Sequence, residues 1–254
     1  MELKELTEQA ADIAKLGGDS TLNLFKKGVK VESKSDNSPV TEADRLAEEL
    51  IRIEIQKRFP GHGIIGEEFG AESENNDIIW VIDPIDGTQS FVHGVPFYTT
   101  LIGILINGKP EIGIIYAPAL DELLYASTGN GCFLNGEKVQ VRKCENLSES
   151  TLLTTDITNI STYKFDRPFQ ELLKHVSIHR TWGDAYGHLM VATGRADIMF
   201  DPVLKIWDAA PLLTVITEAG GAFTDTAGNE TIETGNAIST NRSLKNSVLD
   251  FFKK

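Results

Sequence analysis

The stretch Trp80-Val81-Ile82-Asp83-Pro84-Ile85-Asp86-Gly87-Thr88 runs a short apolar segment into two acids three positions apart and then into glycine and a hydroxyl. An apolar run of that length bounded by Asp and Gly predicts a buried strand that ends where the acids begin. Pro84 stiffens the bend between the acids, so both carboxylates can turn towards one point while the Ile85 carbonyl becomes available as a neutral oxygen ligand. If a helix starts at Gly87-Thr88, its first N–H groups offer an anion seat and the Thr88 hydroxyl can orient a water. Taken alone, D-P-x-D-G is also a common turn composition.

Two further acidic clusters stand at the ends of apolar runs, Gly66-Glu67-Glu68 upstream and Ile206-Trp207-Asp208 downstream. Strand ends and helix starts are where α/β folds place their sites. A few carboxylates from separate segments suit a hard cation with oxygen preference, and a pair of such ions about 3.5–4 Å apart can clamp both oxygens of an in-line displacement at phosphorus. Zinc is disfavoured, because His62, His93, His175, His179 and His188 show no ligand spacing. Each cluster also has a purely structural reading: Glu67-Glu68 as a solvated turn, Asp44 as the acid of a capping box with Thr41, and Asp208 before Ala209-Ala210-Pro211 as a helix N-cap with proline in the first turn.

Further out, residues 3–26 carry Leu3, Leu6, Ala10, Ile13, Ala14 and Leu24 at helical spacing, and a second helix follows Thr41 until Phe59-Pro60-Gly61. Short strands are expected at Ile64-Ile65 and Ile78 to Ile82, and a hairpin joins Tyr98 to Ile106 with Glu111 to Tyr116 through Asn107-Gly108. More strand and turn signals follow at Leu123 to Ala126, Gly129-Asn130-Gly131 and Asn135-Gly136, so the first half reads as helices on a largely antiparallel sheet. The second half alternates, with apolar runs at Leu152-Leu153, Asp197 to Phe200, Ala222-Phe223 and Ala237-Ile238 between helical patterns at Phe169–Val176, Tyr186–Thr193, Ala209–Glu218 and Leu244–Phe252. The seam falls near residue 147, giving an N-terminal α+β half, 1–147, and a C-terminal α/β half, 148–254, in one compact unit. Gly103 to Lys109 matches most of a P-loop, but Pro110 replaces the hydroxyl residue and the context is a hairpin.

The bulk properties exclude several classes. With 254 residues and 41% hydrophobic content the chain can bury a core without staples. A net charge of −13 argues against tracking a nucleic-acid backbone, although bound cations can still reverse the local field for an anionic substrate. Cys132 and Cys144 form no framework, which fits a reducing cytoplasm. No run approaches the ~20 apolar residues of a membrane span, and the acidic, amphipathic start does not read as a signal peptide.

The order Asp44, Glu67-Glu68, Asp83-Pro84-Ile85-Asp86-Gly87-Thr88, Trp207-Asp208 and Glu218-Ala219-Gly220-Gly221 resembles the inositol monophosphatase superfamily across nearly the whole chain. The resemblance implies a layered αβαβα sandwich of the inositol monophosphatase and fructose-1,6-bisphosphatase type. It implies a first metal held by Glu67, Asp83 and the Ile85 carbonyl, a second held by Asp83, Asp86 and Asp208, and a weaker third reached by Glu67, so about two or three Mg²⁺ ions per site. Asp44 and Thr88, with Glu67, would place the attacking water, and Lys34 resembles a lysine on a loop near the active site. A cytoplasmic homodimer sensitive to lithium is implied as well, and some relatives instead serve as partners of the transcription machinery.

Within the superfamily, Asp86-Gly87-Thr88-Gln89-Ser90-Phe91 and Arg180-Thr181-Trp182-Gly183-Asp184-Ala185-Tyr186-Gly187 resemble the histidinol-phosphatase branch, as does Asp201-Pro202; Trp182 and Ala185 depart from its pattern. The expected substrate contacts are therefore Asp86, Gly87, Thr88, Gly183, Asp184, Ala185, Asp201 and Asp208, with the acids Asp184 and Asp201 suited to an ammonium. Inositol phosphate, sugar phosphate and nucleotide phosphates are the alternative substrates. Asp184 also reads as a simple helix cap.

Overall fold

A computed structural model describes residues 2–33, 39–73 and 75–253. Lys34 lies outside them. The first half comprises α1 (Leu3–Thr21), β1 (Val31–Ser33), β2 (Pro39–Thr41), α2 (Glu42–Arg58), β3 (Gly63–Gly66), β4 (Gly70–Glu72), β5 (Ile78–Asp86), the short α3 (Thr88–Val92), β6 (Thr99–Ile106), β7 (Lys109–Ala117), β8 (Glu122–Ser127), β9 (Gly131–Leu134) and β10 (Glu137–Val139). The second comprises β11 (Thr151–Thr154), α4 (Ile157–Thr162), α5 (Asp166–Leu173), β12 (Ile178–Arg180), α6 (Asp184–Ala192), β13 (Ile198–Asp201), α7 (Ile206–Glu218), β14 (Gly221–Thr224), β15 (Ala237–Asn241) and α8 (Lys245–Phe252).

The first eight-stranded sheet has the order β10-β9-β8-β7-β6-β5-β3-β4 and is antiparallel throughout except between β3 and β5. The second has five strands in the order β12-β11-β13-β15-β14, with β11 parallel to both its neighbours. Helices α1 and α2 cover one face of the large sheet, burying Ile13, Ala14, Ile51 and Ile55 against Trp80, Ile82, Ile102 and Ile114. Helices α6 and α7 fill the layer between the sheets, where Leu189, Leu212, Val215 and Ile216 meet Leu101, Ile115, Met199 and Phe223. Helices α5 and α8 close the outer face of the second sheet over Leu152, Ile198, Phe200 and Ile238. The αβαβα layering expected from the sequence is what forms. The central strands are apolar almost throughout because both of their faces are covered.

The Asn107-Gly108 turn adopts positive φ at both residues (51° and 77°), which matches the right-handed twist of the hairpin and removes the P-loop reading. The opening helix is shorter than its periodicity, ending at Thr21 rather than residue 26. Helix α7 differs as well. It begins at Ile206, so Asp208 is its third residue rather than its N-cap, and Pro211 sits inside it. The proline is accommodated by the sheet beneath: Gly103 and Gly113 are opposed across β6 and β7, and a Cβ on Gly113 would lie 2.1 Å from the Pro211 carbonyl oxygen. This close approach seats α7 flat on the large sheet and carries Asp208 to the end of β5.

Candidate metal and phosphate site

Asp83 and Asp86 are separated by an odd number of positions, so a regular strand would aim them at opposite faces. Strand β5 breaks that alternation: Asp83 pairs with Leu101 and Asp86 with Thr99, three residues on one strand against two on the other. The β-bulge so formed turns both acids to one side. Asp208 arrives from α7, and the carboxylates of Asp83, Asp86 and Asp208 come within 4.8 Å of one another.

Each acid commits one oxygen to a backbone N–H that fixes its orientation. Ile85 N–H donates to Asp83 Oδ1 (3.0 Å), Ala185 N–H to Asp86 Oδ2 (2.7 Å) and Lys205 N–H to Asp208 Oδ2 (2.7 Å). Burial raises the pKa of all three above the ordinary carboxylate range, and the neighbouring carboxylates add to it. Asp83 is raised by burial and then by the charges of Glu67, Asp208 and Asp86. Asp86 is pushed up to about 7 by burial, against the Ala185 N–H, which pulls the other way. Asp208 is raised by burial and by Asp86. Among the described residues no lysine or arginine pairs with any of the three. Clustered, mutually raised carboxylates without a cation of their own fit a hard divalent ion, which would supply the missing charge.

Glu67 follows β3, parallel to β5, and its N–H donates to the Ile82 carbonyl (3.1 Å), which sets it beside Asp83. The turn that carries it is held from beneath. Glu48, wholly buried in α2, accepts from Glu68 N–H (2.7 Å), Phe69 N–H (3.2 Å) and Arg52 Nε (2.8 Å). Gly66 has no side chain to spare here, since a Cβ would fall 2.0 Å from Glu48 Oε1.

Asp44 forms the capping box its sequence allowed and also reaches Thr88. Its Oδ2 accepts from Thr41 N–H (2.8 Å) and the Thr41 hydroxyl (2.6 Å), completing the capping box of α2. Its Oδ1 lies 3.3 Å from Thr88 Oγ1, which also stands 3.1 Å from the Ile85 carbonyl. Burial raises Asp44 above the usual range while the Thr41 bonds oppose it.

Thr88 and Glu67 open onto a cleft of about 630 Å³ between the two halves, lined also by Gly87, Thr155, Gly183 and Asp184. Gly87 has φ 79° immediately before α3, and its α-carbon faces the Asp184 carboxylate closely enough that a Cβ would meet Oδ2 at 2.8 Å. Asp184, at the start of α6, is raised by burial and then by Asp86, Asp201 and Asp208. Ala185 contributes its N–H to Asp86. Asp201 is placed differently from the others: it is buried at 5% exposure, with Oδ1 accepting from Thr155 (2.9 Å) and Oδ2 lying 3.2 Å from His188 Nε2. Glu48, Thr155, Thr99 (which donates to Asp86 Oδ2 at 3.2 Å) and His188 are site residues that periodicity and motif did not single out. Only the Glu48–Arg52 spacing on a helix carried a signal.

The family model for the inositol monophosphatase family matches residues 2–251. The chain belongs to that family. A histidinol-phosphatase from Chlorobaculum parvum is 40% identical over 242 residues, covering 94% of this chain and 93% of the relative. Inositol monophosphatase 3 from Solanum lycopersicum is 34% identical over 259 residues, covering 97% and 96%. In three dimensions the chain is similar to an IMPase from Thermotoga maritima, with a TM-score of 0.91 at 31% identity over 98% of this chain and 97% of that one. With the family comes the reaction class, hydrolysis of a phosphate monoester.

Proposed function

We propose that this chain is a Mg²⁺-dependent phosphatase whose substrate is histidinol phosphate. The observation that carries the reading is the Asp184 carboxylate on the wall of an acidic cleft, next to the carboxylate cluster and within a Gly183-Asp184 loop of the histidinol-phosphatase type. No lysine or arginine is among the described residues lining that cleft, so a phosphate dianion is accepted only with cations, and the end away from the phosphate favours a positive group.

Asp83, Asp86, Asp208, Glu67 and the Ile85 carbonyl would hold the ions, which supply charge neutralisation at the phosphoryl group and acidify water. The chain's own groups do the rest. The Thr88 hydroxyl donates to Asp44 or to the Ile85 carbonyl, which turns an oxygen lone pair towards the cleft to accept a proton from the attacking water. Asp44, raised by burial, is placed to receive the hydroxyl proton as that water is deprotonated. Gly87 and Thr88 N–H groups face the phosphoryl oxygens, and Asp184 accepts from the substrate ammonium. The same reading extends to lithium sensitivity, a cytoplasmic setting and a homodimer, and reserves for Glu67 a share in a third ion.

The test is kcat/KM for histidinol phosphate against inositol 1-phosphate in Mg²⁺, with a chelator control. Preference for histidinol phosphate and silence in chelator are expected. A preference for inositol 1-phosphate would overturn the substrate, and turnover in excess chelator would overturn the metal.

A further inference from the structure

Behind the cleft wall a line of polar side chains crosses the second sheet. His188 Nδ1 lies 2.6 Å from Ser239 Oγ, and His188 Nε2 lies 3.2 Å from Asp201 Oδ2. The Thr155 hydroxyl donates to Asp201 Oδ1 at 2.9 Å and in turn accepts the Asp184 N–H at 2.7 Å. With the imidazole proton on Nε2, every proton in the line has one acceptor: Ser239 to His188, His188 and Thr155 to Asp201, Asp184 N–H to Thr155. The partners come from β15, α6, β13 and the end of β11, so the arrangement exists only in the assembled fold.

Ser239, His188 and Asp201 have the composition and order of contacts of a nucleophilic triad, but Ser239 and His188 are 0% exposed and no substrate reaches them. Among the described residues Thr155 links them to the cleft, and what Thr155 holds is the residue at the start of α6 in an unfavourable conformation. Asp184 has φ 53°, the left-handed region that a non-glycine residue avoids without support. Its neighbour Ala185 is bonded to Asp86, so the loop is fixed on one side to the metal cluster and on the other to the buried line.

We infer that the Ser239–His188–Asp201–Thr155 line is a positioning device that holds Asp184 facing the cleft, and that Asp201 and His188 govern substrate preference through it, without touching substrate. This rests on the reading of Asp184 as the acceptor of a substrate ammonium. Asp201 is buried and each of its oxygens has a partner inside the fold, which is the geometry of a support for Thr155 and His188.

The experiment compares Thr155→Val, which keeps the shape and removes the hydroxyl, with Thr155→Ser, which retains it, and with His188→Leu. Thr155→Val is expected to raise KM for histidinol phosphate more than it lowers kcat, shifting the kcat/KM ratio against inositol 1-phosphate by about tenfold. Thr155→Ser restores the ratio. In an Asp184→Asn background Thr155→Val should add no further loss of preference, because the two act as one unit; additive losses would overturn the inference. Amide hydrogen exchange at Asp184 decides the same point without a substrate: protection falls in Thr155→Val and His188→Leu and persists in Thr155→Ser. Unchanged exchange in Thr155→Val overturns the positioning line. Unchanged preference in Asp184→Asn overturns instead the ammonium reading, and the exchange result then still judges the line.

Discussion

Two groups of buried and half-buried acids in this molecule have the same chemistry and opposite circumstances. Glu48 and Asp197 are wholly or nearly wholly enclosed and are each met by an arginine and backbone N–H groups: Glu48 by Arg52 and the turn at Glu68, Asp197 by Arg142 Nε (3.0 Å) and Thr151 N–H (2.7 Å). Asp83, Asp86 and Asp208 each accept a backbone N–H but pair with no arginine or lysine among the described residues, and they meet one another. Enclosing a carboxylate costs several kcal/mol unless charge and hydrogen bonds compensate it. The first group carries its compensation within the fold. On the proposed reading the second receives it from a bound cation, and the burden it places on the cation-free protein is the counterpart of that binding.

The contrast can be broken most forcefully at Asp83. Asp83→Asn should lower kcat/KM on the order of a thousandfold, about 4 kcal/mol of transition-state stabilisation, while the melting temperature in chelator stays level or rises as one repelling charge is removed. Retained turnover, or a lower melting point in chelator, would place Asp83 with the paired acids. The reverse experiment is Arg52→Met, which leaves Glu48 enclosed without its guanidinium. About 3 kcal/mol of stability should be lost, read by urea unfolding, and a loss near zero would mean that the backbone N–H groups suffice. Asp184→Asn comes next, with kcat/KM for histidinol phosphate falling about thirtyfold, on the order of 2 kcal/mol for a charge-assisted hydrogen bond, and that for a neutral polyol phosphate scarcely moving. Equal losses on both substrates would make Asp184 a structural cap.

A further effect is a slope with pH. Asp86 rises from 3.8 to about 7 on folding in the absence of a cation, so across that window the folded state holds a proton that the unfolded state has released. Stability in chelator therefore falls as pH rises through the window, the penalty being absent below it and complete above it. Asp86→Asn removes the contribution, so the melting-point difference between wild type and variant should widen in disfavour of wild type from pH 4 to pH 7, and Mg²⁺ should abolish the trend. A difference that narrows with rising pH would remove Asp86 from the uncompensated group.

What the chain announces in advance and what it withholds follow from distance along it. The bend at Asp83-Pro84-Ile85-Asp86, the Asn107-Gly108 hairpin and the capping box at Thr41 and Asp44 are local, and residues within four positions of each other decide them. Asp208 shows where local reading fails: proline at position 211 suggested a first turn, but the two glycines of the sheet below admit Pro211 deeper in the helix and move its start to Ile206. Asp201 was singled out by the motif it forms with its neighbour proline, but the partners that hold it, Thr155 and His188, come from other elements. No periodicity reports such pairings. Glu48 was hidden in a similar way, since a helix of mixed charges gives no sign that one of its acids supports a turn twenty residues later.

The bulge in β5 makes the acid cluster sensitive to the length of the segment that carries it. Removing one residue between Asp83 and Asp86 would abolish the bulge and adding one would enlarge it, and either change would redraw the bend that brings the Ile85 N–H to Asp83 although every acid is still encoded. The same change at the Asn107-Gly108 turn would alter only the reach of a surface loop. Among sequences related to this one, length variation should therefore be tolerated freely at the tip of the hairpin and purged from the four residues Asp83 to Asp86, where an alignment gap would be a stronger sign of lost catalysis than most substitutions.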